Sequence, residues 1–287
     1  MIADWVVSVS SFAHGARFFL RTANKLLTLV TVSYSLDWVG TSRVSLRSIL
    51  GVALSDEQYV RDQYRSTENL DVRTSVWQSD VEGGSPHDVA ERALREVGAS
   101  RVLEIGSGTG TFASRIQTSL PCKVIAIDSS AVMVETTKSR GIEALVADAR
   151  DLPFEDDTFD AVVAAWMLYH VDPLEKALGE ISRVLRPGGR LVAITNGRDH
   201  LAELWKLVGE IHDEPGFSRE NGAQKLESHF ASVEQLDITT YADFAECGAA
   251  AAYLSSMDRK DLAARLPVEG WPMRACGSVT VFVADLA

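Results

Sequence analysis

The chain has 287 residues, 46% of them hydrophobic by type, so one generous α/β domain with additions, or two small domains, can be built around a sizeable core. A formal net charge of −12 at pH 7 excludes a protein whose main partner is a nucleic-acid backbone, because counterion release needs clustered Lys and Arg. Cys122, Cys247 and Cys276 are widely spaced and form no CxxC pair, so no disulfide framework, zinc site or other metal is expected, and a reducing cytoplasmic setting is the default.

Residues 1–50 carry Arg17, Arg21, Lys25, Arg43 and Arg47 against Asp4 and Asp37, which makes this stretch +3 and the remainder −15. The uncharged run Leu26 to Leu36 has eleven residues. A bilayer crossing takes about 20, so membrane insertion is not expected. The pattern of a signal peptide is missing. A basic amphipathic anchor and a helical arm peripheral to the working domain both fit, and the arm is the simpler reading. Residues 1–57 are therefore taken as a basic N-terminal helical extension. Residues 58–84 are a possible lid segment: the stretch Asp56 to Gln78 holds Tyr59, Tyr64, Arg65, Arg73 and Trp77, and is either a structural helix or a cover over a site.

From residue 85 the pattern becomes regular. Ser85-Pro86-His87-Asp88 reads as an N-cap, a proline at the first helical position and an acid at N3, and Val89, Ala90, Ala93, Leu94 and Val97 share one helical face. Apolar, β-branched runs then alternate with helical stretches. The runs are Arg101 to Ile105, Lys123 to Asp128, Ile142 to Asp148, Asp160 to Met167 and Arg190 to Thr195, which is how strands buried on both faces look. Asp172-Pro173-Leu174-Glu175 opens the helix before the fifth strand, and Arg186-Pro187-Gly188-Gly189 closes it. Beyond Gly197, Leu201 to Ile211 and the Ala-rich Phe244 to Leu266 read as helical, and Val233 to Thr239 and Ser278 to Leu286 as strands. The predicted fold is Rossmann-like, doubly wound α/β. Its seven-stranded sheet is mostly parallel with an antiparallel last strand, over residues 85–287, with a cofactor half 85–197 and an acceptor-side half 198–287.

Chemistry concentrates at the ends of the first three of these strands. In Val102-Leu103-Glu104-Ile105-Gly106-Ser107-Gly108-Thr109-Gly110 a strand runs into a glycine-rich turn and then a helix, so that a cofactor can approach the backbone of Gly106, Ser107, Gly108 and Gly110. The spacing is GxGxG rather than GxGxxG. Glu104 stands two residues before the first glycine, where a pyrophosphate would be repelled and a ligand bearing an ammonium and a sulfonium would be welcome. Asp128, followed by Ser129, ends the second strand, where a carboxylate can accept hydrogen bonds from both hydroxyls of a ribose. Asp148-Ala149 ends the third, where an acid and the adjoining backbone can meet an adenine.

These segments resemble the class I S-adenosylmethionine-dependent methyltransferases, and among them the small-molecule group similar to the ubiquinone/menaquinone C-methyltransferases. The resemblance runs over residues 85–197 and rests on VLEIGSGTG, VIAIDSSAVMVE, ALVADARDLPFEDDTFDAVVAAWMLYHV and RVLRPGGRLVAITNG. It implies that S-adenosyl-L-methionine is the cofactor. Glu104, Gly106 and Gly108 would line its methionine portion, Asp128 would hold the ribose, Met133 would pack near the adenine, and Asp148 and Ala149 would bind the adenine. Ala165 and Trp166 would lie beneath the sulfonium. DQYRSTENLDVRTSVWQSD looks like a pre-domain segment of some bacterial members, although Val81-Glu82-Gly83-Gly84 departs from the Asn or aromatic cluster that such segments often carry. Residues 1–50 lie outside the resemblance.

Methyl transfer is an in-line displacement in which alignment does most of the work, and a base is needed only where the nucleophile must lose a proton. His170, just past the fourth strand, is the candidate catalytic base; the alternative is that it only packs at the start of the next helix. Tyr169, Trp166 and Asn196 stand near the same edge, while His200, His212 and His229 read as surface or lid residues. The expected partner is a small-molecule methyl acceptor offering O, N or C. Two other functions compete: a nicotinamide-dependent oxidoreductase, against which Glu104, GxGxG and Asp148 speak, and a binding module that keeps the cofactor pocket without transfer.

Overall fold

Strands with alternating or continuous β-branched residues and helices with one apolar face organise the protein, in a computed structural model, into two compact units, Met1–Leu50 and Gly51–Ala287. The structure describes residues 54–77, 84–210 and 215–287, together with the backbone of three strands in the first unit. His212, Val81 to Gly83, Lys25, Arg43, Arg47 and most of the Leu26 to Leu36 run lie outside the described residues.

In the first unit β1 (Val6–Phe12), β2 (Gly15–Arg21) and β3 (Leu29–Val32) form an antiparallel sheet in that order, with Val6 opposite Arg21 and Phe12 opposite Gly15. These strands stand where a helical arm was expected. The physical reason is in the sequence: Val7 and Val9 alternate with Ser8 and Ser10, a period of two that charge counting does not register. The helices ahead of the domain come later, as α1 (Glu57–Gln63) and α2 (Glu68–Thr74).

The second unit continues with α3 (Pro86–Glu96), β4 (Arg101–Ile105), α4 (Thr111–Ser119), β5 (Lys123–Asp128), α5 (Ala131–Ser139), β6 (Glu143–Val146) and β7 (Phe159–Ala165). A 3-10 turn at Leu168–His170 then leads to α6 (Leu174–Val184), β8 (Leu185–Asn196), α7 (Ala202–Leu207) and α8 (Gly222–Leu226). The chain ends with β9 (Ser232–Phe244), α9 (Cys247–Ser256), α10 (Lys260–Ala263) and β10 (Met273–Asp285). The start of α3 is a capping box: the Asp88 amide donates to Ser85 Oγ at 3.2 Å, and the Ser85 amide donates to Asp88 Oδ2 at 2.7 Å.

The sheet order is β6-β5-β4-β7-β8-β10-β9. β4 to β8 pair in parallel, and β10 runs antiparallel to both β8 and β9. Strand order reverses between β4 and β7, so the crevice that such a reversal opens lies at their carboxyl ends. Alternation along β4 sends Leu103 and Ile105 into a core shared with Leu178 and Ile181 of α6, and Val102 into one shared with Leu94 of α3 and Ile116 of α4. A third cluster, with Trp205, Phe244, Tyr253 and Leu254, lies in the C-terminal half.

The departures from expectation are non-local in origin. Register with β10 extends β9 to Phe244 and starts β10 at Met273, and the Ala-rich helical run is split into α9 and α10. β6 stops at Val146, so Asp148 lies past the strand in an isolated bridge with Asp151.

Candidate active site

The alternation that buries Val102 also buries Glu104, on the α4 side of the sheet, where it is 2% exposed. The Ala113 amide donates to its carboxylate, while Oε2 is buried with no hydrogen-bond partner among the described residues. Burial pushes the Glu104 carboxyl up to about 8, with the Asp128 charge acting in the same direction.

The turn after β4 is pinned by the amides of Gly106 and Ser107, which both donate to the Ile127 carbonyl, at 2.8 and 3.0 Å. Its glycines take φ of +70° at Gly106, +52° at Gly108 and +72° at Gly110. Space forbids side chains there too: a Cβ at Gly106 would stand 2.7 Å from Met167 Cβ, and one at Gly110 2.7 Å from the Thr137 side chain.

Asp128 is tied to this turn. Its Oδ2 accepts from the Gly108 amide at 2.9 Å and its Oδ1 from the Ser130 amide at 2.8 Å. Burial raises its pKa, against the Ser130, Gly108 and Ser129 amides that favour the carboxylate. The Ser129 residue is exposed, whereas Met133, in the first turn of α5, is fully buried. Asp148 stands apart on the rim. Arg150 grips its carboxylate through Nε and Nη2 at 2.7 to 3.1 Å, and this holds the Asp148 carboxyl below its usual range. Ala149 beside it is buried. Ala165 ends β7, and Trp166 follows with φ +53°, a left-handed conformation rare for a bulky residue. That turn aims the Trp166 Nε1–H at Asn196 Oδ1, 2.9 Å away at the end of β8.

Residues 54–77 cross this edge and touch it at several strand ends. The Leu70 side chain lies over Gly108, where a Cβ would come within 3.0 Å of it. Ser130 Oγ donates to the Tyr64 carbonyl at 2.8 Å, and Arg150 Nη2 donates to Glu57 at 2.9 Å. Farther on, Trp77 bridges to Ala242 of β9. His170 meets the same segment with both ring nitrogens: Nδ1 lies 2.7 Å from the Leu54 carbonyl and Nε2 lies 2.9 Å from the Tyr64 hydroxyl. Burial pushes its pKa down to about 4. Elsewhere, His229 pairs with Glu175 at 2.8 Å and His200 contacts the Ser278 carbonyl at 3.1 Å.

The geometry thus brings together Glu104, the glycine turn, Asp128 and the β7 edge, and leaves Asp148 on an ion-paired rim. The residues 103–193 match the methyltransferase domain family. Over this stretch the chain is similar to a methyltransferase domain. Over 106 residues it is 42% identical to demethylmenaquinone methyltransferase of Clavibacter sepedonicus, covering 35% of this chain and 43% of that one. Over 151 residues it is 32% identical to malonyl-[acyl-carrier protein] O-methyltransferase of Methylococcus capsulatus, covering 49% and 55%. The chain therefore spans about half the length of the curated relatives it matches. In fold, the YcgJ protein of Bacillus subtilis superposes with a TM-score of 0.53 at 17% identity, covering 70% of this chain and 97% of that one.

Two residues given no separate role in the sequence lie along the segment that crosses this edge. Tyr64 and Arg73 come from the segment 54–77, and the Arg73 guanidinium stands over the Tyr64 ring at 5.3 Å. For Arg73 the sequence signal was its spacing from Leu70, since positions 70 and 73 share a helix face. No helix of the described residues is long and apolar enough to cross a membrane, and among them no cluster of side chains suits a metal.

Proposed function

We propose that the protein transfers a methyl group from S-adenosylmethionine to a small-molecule acceptor. Glu104 carries this reading. A buried carboxylate with an unpartnered oxygen, set against a turn too tight for side chains, suits a cationic amino-acid group and repels a pyrophosphate. When bound, S-adenosylmethionine would supply a methyl carbon already activated by its sulfonium.

The chain's own residues would bind and align. Glu104 would take the ammonium, and the backbone of Gly106, Ser107, Gly108 and Gly110 would allow close approach. Asp128, with Ser129 beside it, would accept the ribose hydroxyls. Met133 and Ala149 would flank the adenine, and Asp148 would accept from its amine while Arg150 keeps the carboxylate ionised. Ala165 and Trp166 would wall the reacting end. Residues 58–84 would cover the crevice and exclude water, with residues 198–287 forming the acceptor side. His170 has both nitrogens engaged and a pKa near 4. It therefore serves the lid first, and transfer by alignment onto O, N or C is the chemistry that fits best. The names of the two relatives, one acting on a quinone precursor and one on a carrier-bound malonyl group, support a small organic acceptor, and the three free cysteines support a reducing cytoplasmic setting.

Calorimetry tests the reading. S-adenosylhomocysteine should bind and NAD should not, and Asp128→Ala should weaken binding by about 1.5–3 kcal/mol through loss of charge-assisted hydrogen bonds. NAD binding with no response to either sulfur ligand would overturn the reading.

A further inference from the structure

Among the described residues Arg73 has no counter-ion. Its Nε donates to the Asn69 carbonyl at 3.2 Å and its Nη1 to Gln63 Oε1 at 3.4 Å, both neutral acceptors. Its Nη2 is buried with no hydrogen-bond partner, and no carboxylate pairs with it among the described residues. A guanidinium end taken out of water and left uncompensated is costly, and an anion entering beside it would be held strongly.

The surroundings indicate what kind of anion. The guanidinium lies over the Tyr64 ring, and α2 packs against α9, which carries the buried Tyr253. Burial raises the Tyr169 and Tyr253 phenols, and the Arg73 charge pulls both back, so all three rings lie within its field. α9 belongs to residues 198–287, so Arg73 stands on the side of the crevice toward the C-terminal half.

We propose that Arg73 binds an anionic group of the methyl acceptor, a carboxylate on a flat ring or chain seated among Tyr64, Tyr169 and Tyr253. This rests on the methyltransferase reading for its purpose, and its test separates the two. 4-Hydroxybenzoate and 4-hydroxybenzamide, alike in shape and differing in charge, are titrated calorimetrically into the full chain with and without S-adenosylhomocysteine. The carboxylate should bind about tenfold or more tightly than the amide. Arg73→Gln should erase that preference and Arg73→Lys should keep part of it, with S-adenosylhomocysteine affinity unchanged in both. Thermal melts establish that each variant is folded, and Arg73→Lys carries the test if Arg73→Gln is not. Equal binding of the two probes by the wild type would overturn the proposal. So would an Arg73→Gln variant that loses S-adenosylhomocysteine but keeps 5′-methylthioadenosine, because Arg73 would then serve the cofactor's own carboxylate. Arg73-dependent carboxylate binding by a protein that binds no S-adenosylhomocysteine would uphold the anion site and overturn the methyl-transfer reading.

Discussion

Tyr64 donates its phenolic hydrogen to Nε2 of His170 across 2.9 Å, because the Leu54 carbonyl, 2.7 Å from Nδ1, can only accept and so fixes the proton there. One ring therefore fastens residues 54 and 64 to the turn after β7. Burial pushes its pKa down to about 4, whereas an unfolded histidine titrates near 6.5. Between those values the unfolded chain binds the extra proton. Stability is then present above about pH 6.5 and is lost as pH falls toward 4, by at most about 3 kcal/mol for one ring. His87, likewise pushed down to about 4 by burial, acts in the same direction.

Denaturant melts should accordingly show stability falling between pH 7 and pH 4.5, with a shallower slope in His170→Gln. A slope unchanged by that substitution would remove His170 from the account. Hydrogen exchange in α1 and α2 should quicken in His170→Ala, with a modest loss of turnover. A loss of about 10²–10⁴-fold with exchange unaltered would instead mark a base.

Gly110→Ala should unfold the site locally or destabilise the domain by about 2–4 kcal/mol. The residue has φ +72°, and the added Cβ would stand 2.7 Å from Thr137, whose Cα is among the atoms in the way at 2.8 Å. Gly98→Ala is the control. It shares a positive φ of +63° but has open space, so it should cost only about 1 kcal/mol. Chemical denaturation of both variants makes the comparison, and equal losses would show that conformation rather than space sets the price.

Much of this site was readable in the sequence because it is local. β4 and β5 end where the sequence predicts, and Glu104, the glycine turn and Asp128 hang directly from those ends. Lengths set by partner strands were not readable: nothing in Phe244 itself says that Met273 will pair with it. The same holds for Tyr64 and His170, 106 residues apart, whose contact depends on how the segment 54–77 crosses the sheet. Asp148 shows a third case. It was expected to end the third strand but lies past β6, and Arg150 two residues on occupies its carboxylate.

Removing residues 1–50 should leave the second unit folded, since the division between compact units falls at Leu50 and Gly51. A truncated chain beginning at Gly51 should melt cooperatively and bind S-adenosylhomocysteine as the full chain does. Loss of the cooperative transition would make the first unit integral to the second.

Asp160 has no part in the crevice and should matter for stability alone. It is 2% exposed at the start of β7, where Oδ2 accepts from the Ser100 amide at 2.7 Å, the Ser100 hydroxyl at 2.6 Å and the Arg101 amide at 2.8 Å, and Arg186 pairs with its other oxygen. Asp160→Ala removes the acceptor of two backbone amides and the partner of the half-exposed Arg186, at a cost of about 1–3 kcal/mol. Equilibrium unfolding should record that loss, with S-adenosylhomocysteine affinity retained at temperatures where the variant is folded.

Glu104 couples ligand binding to protons. With its carboxyl pushed up to about 8 by burial, the ligand-free protein holds it mostly protonated at pH 7, while the unfolded chain's glutamate ionises near 4.5. The folded state therefore binds more protons between those values, and the stability contributed by the neutral acid is lost as pH rises from about 4.5 to about 8. A ligand that presents an ammonium to the orphaned Oε2 requires the carboxylate to be charged, so binding must expel the proton. S-adenosylhomocysteine affinity should then climb with pH by up to about tenfold per unit and level off near pH 8. The heat of binding should shift with the ionisation enthalpy of the buffer, because the buffer takes up the proton released. Glu104→Gln should bind weakly, show no buffer dependence, and be more stable than wild type at pH 8, where the wild type must bury a charge. An affinity flat from pH 6 to 8, with the same heat in every buffer, would mean that no ammonium reaches Glu104 and would take the residue out of the cofactor site.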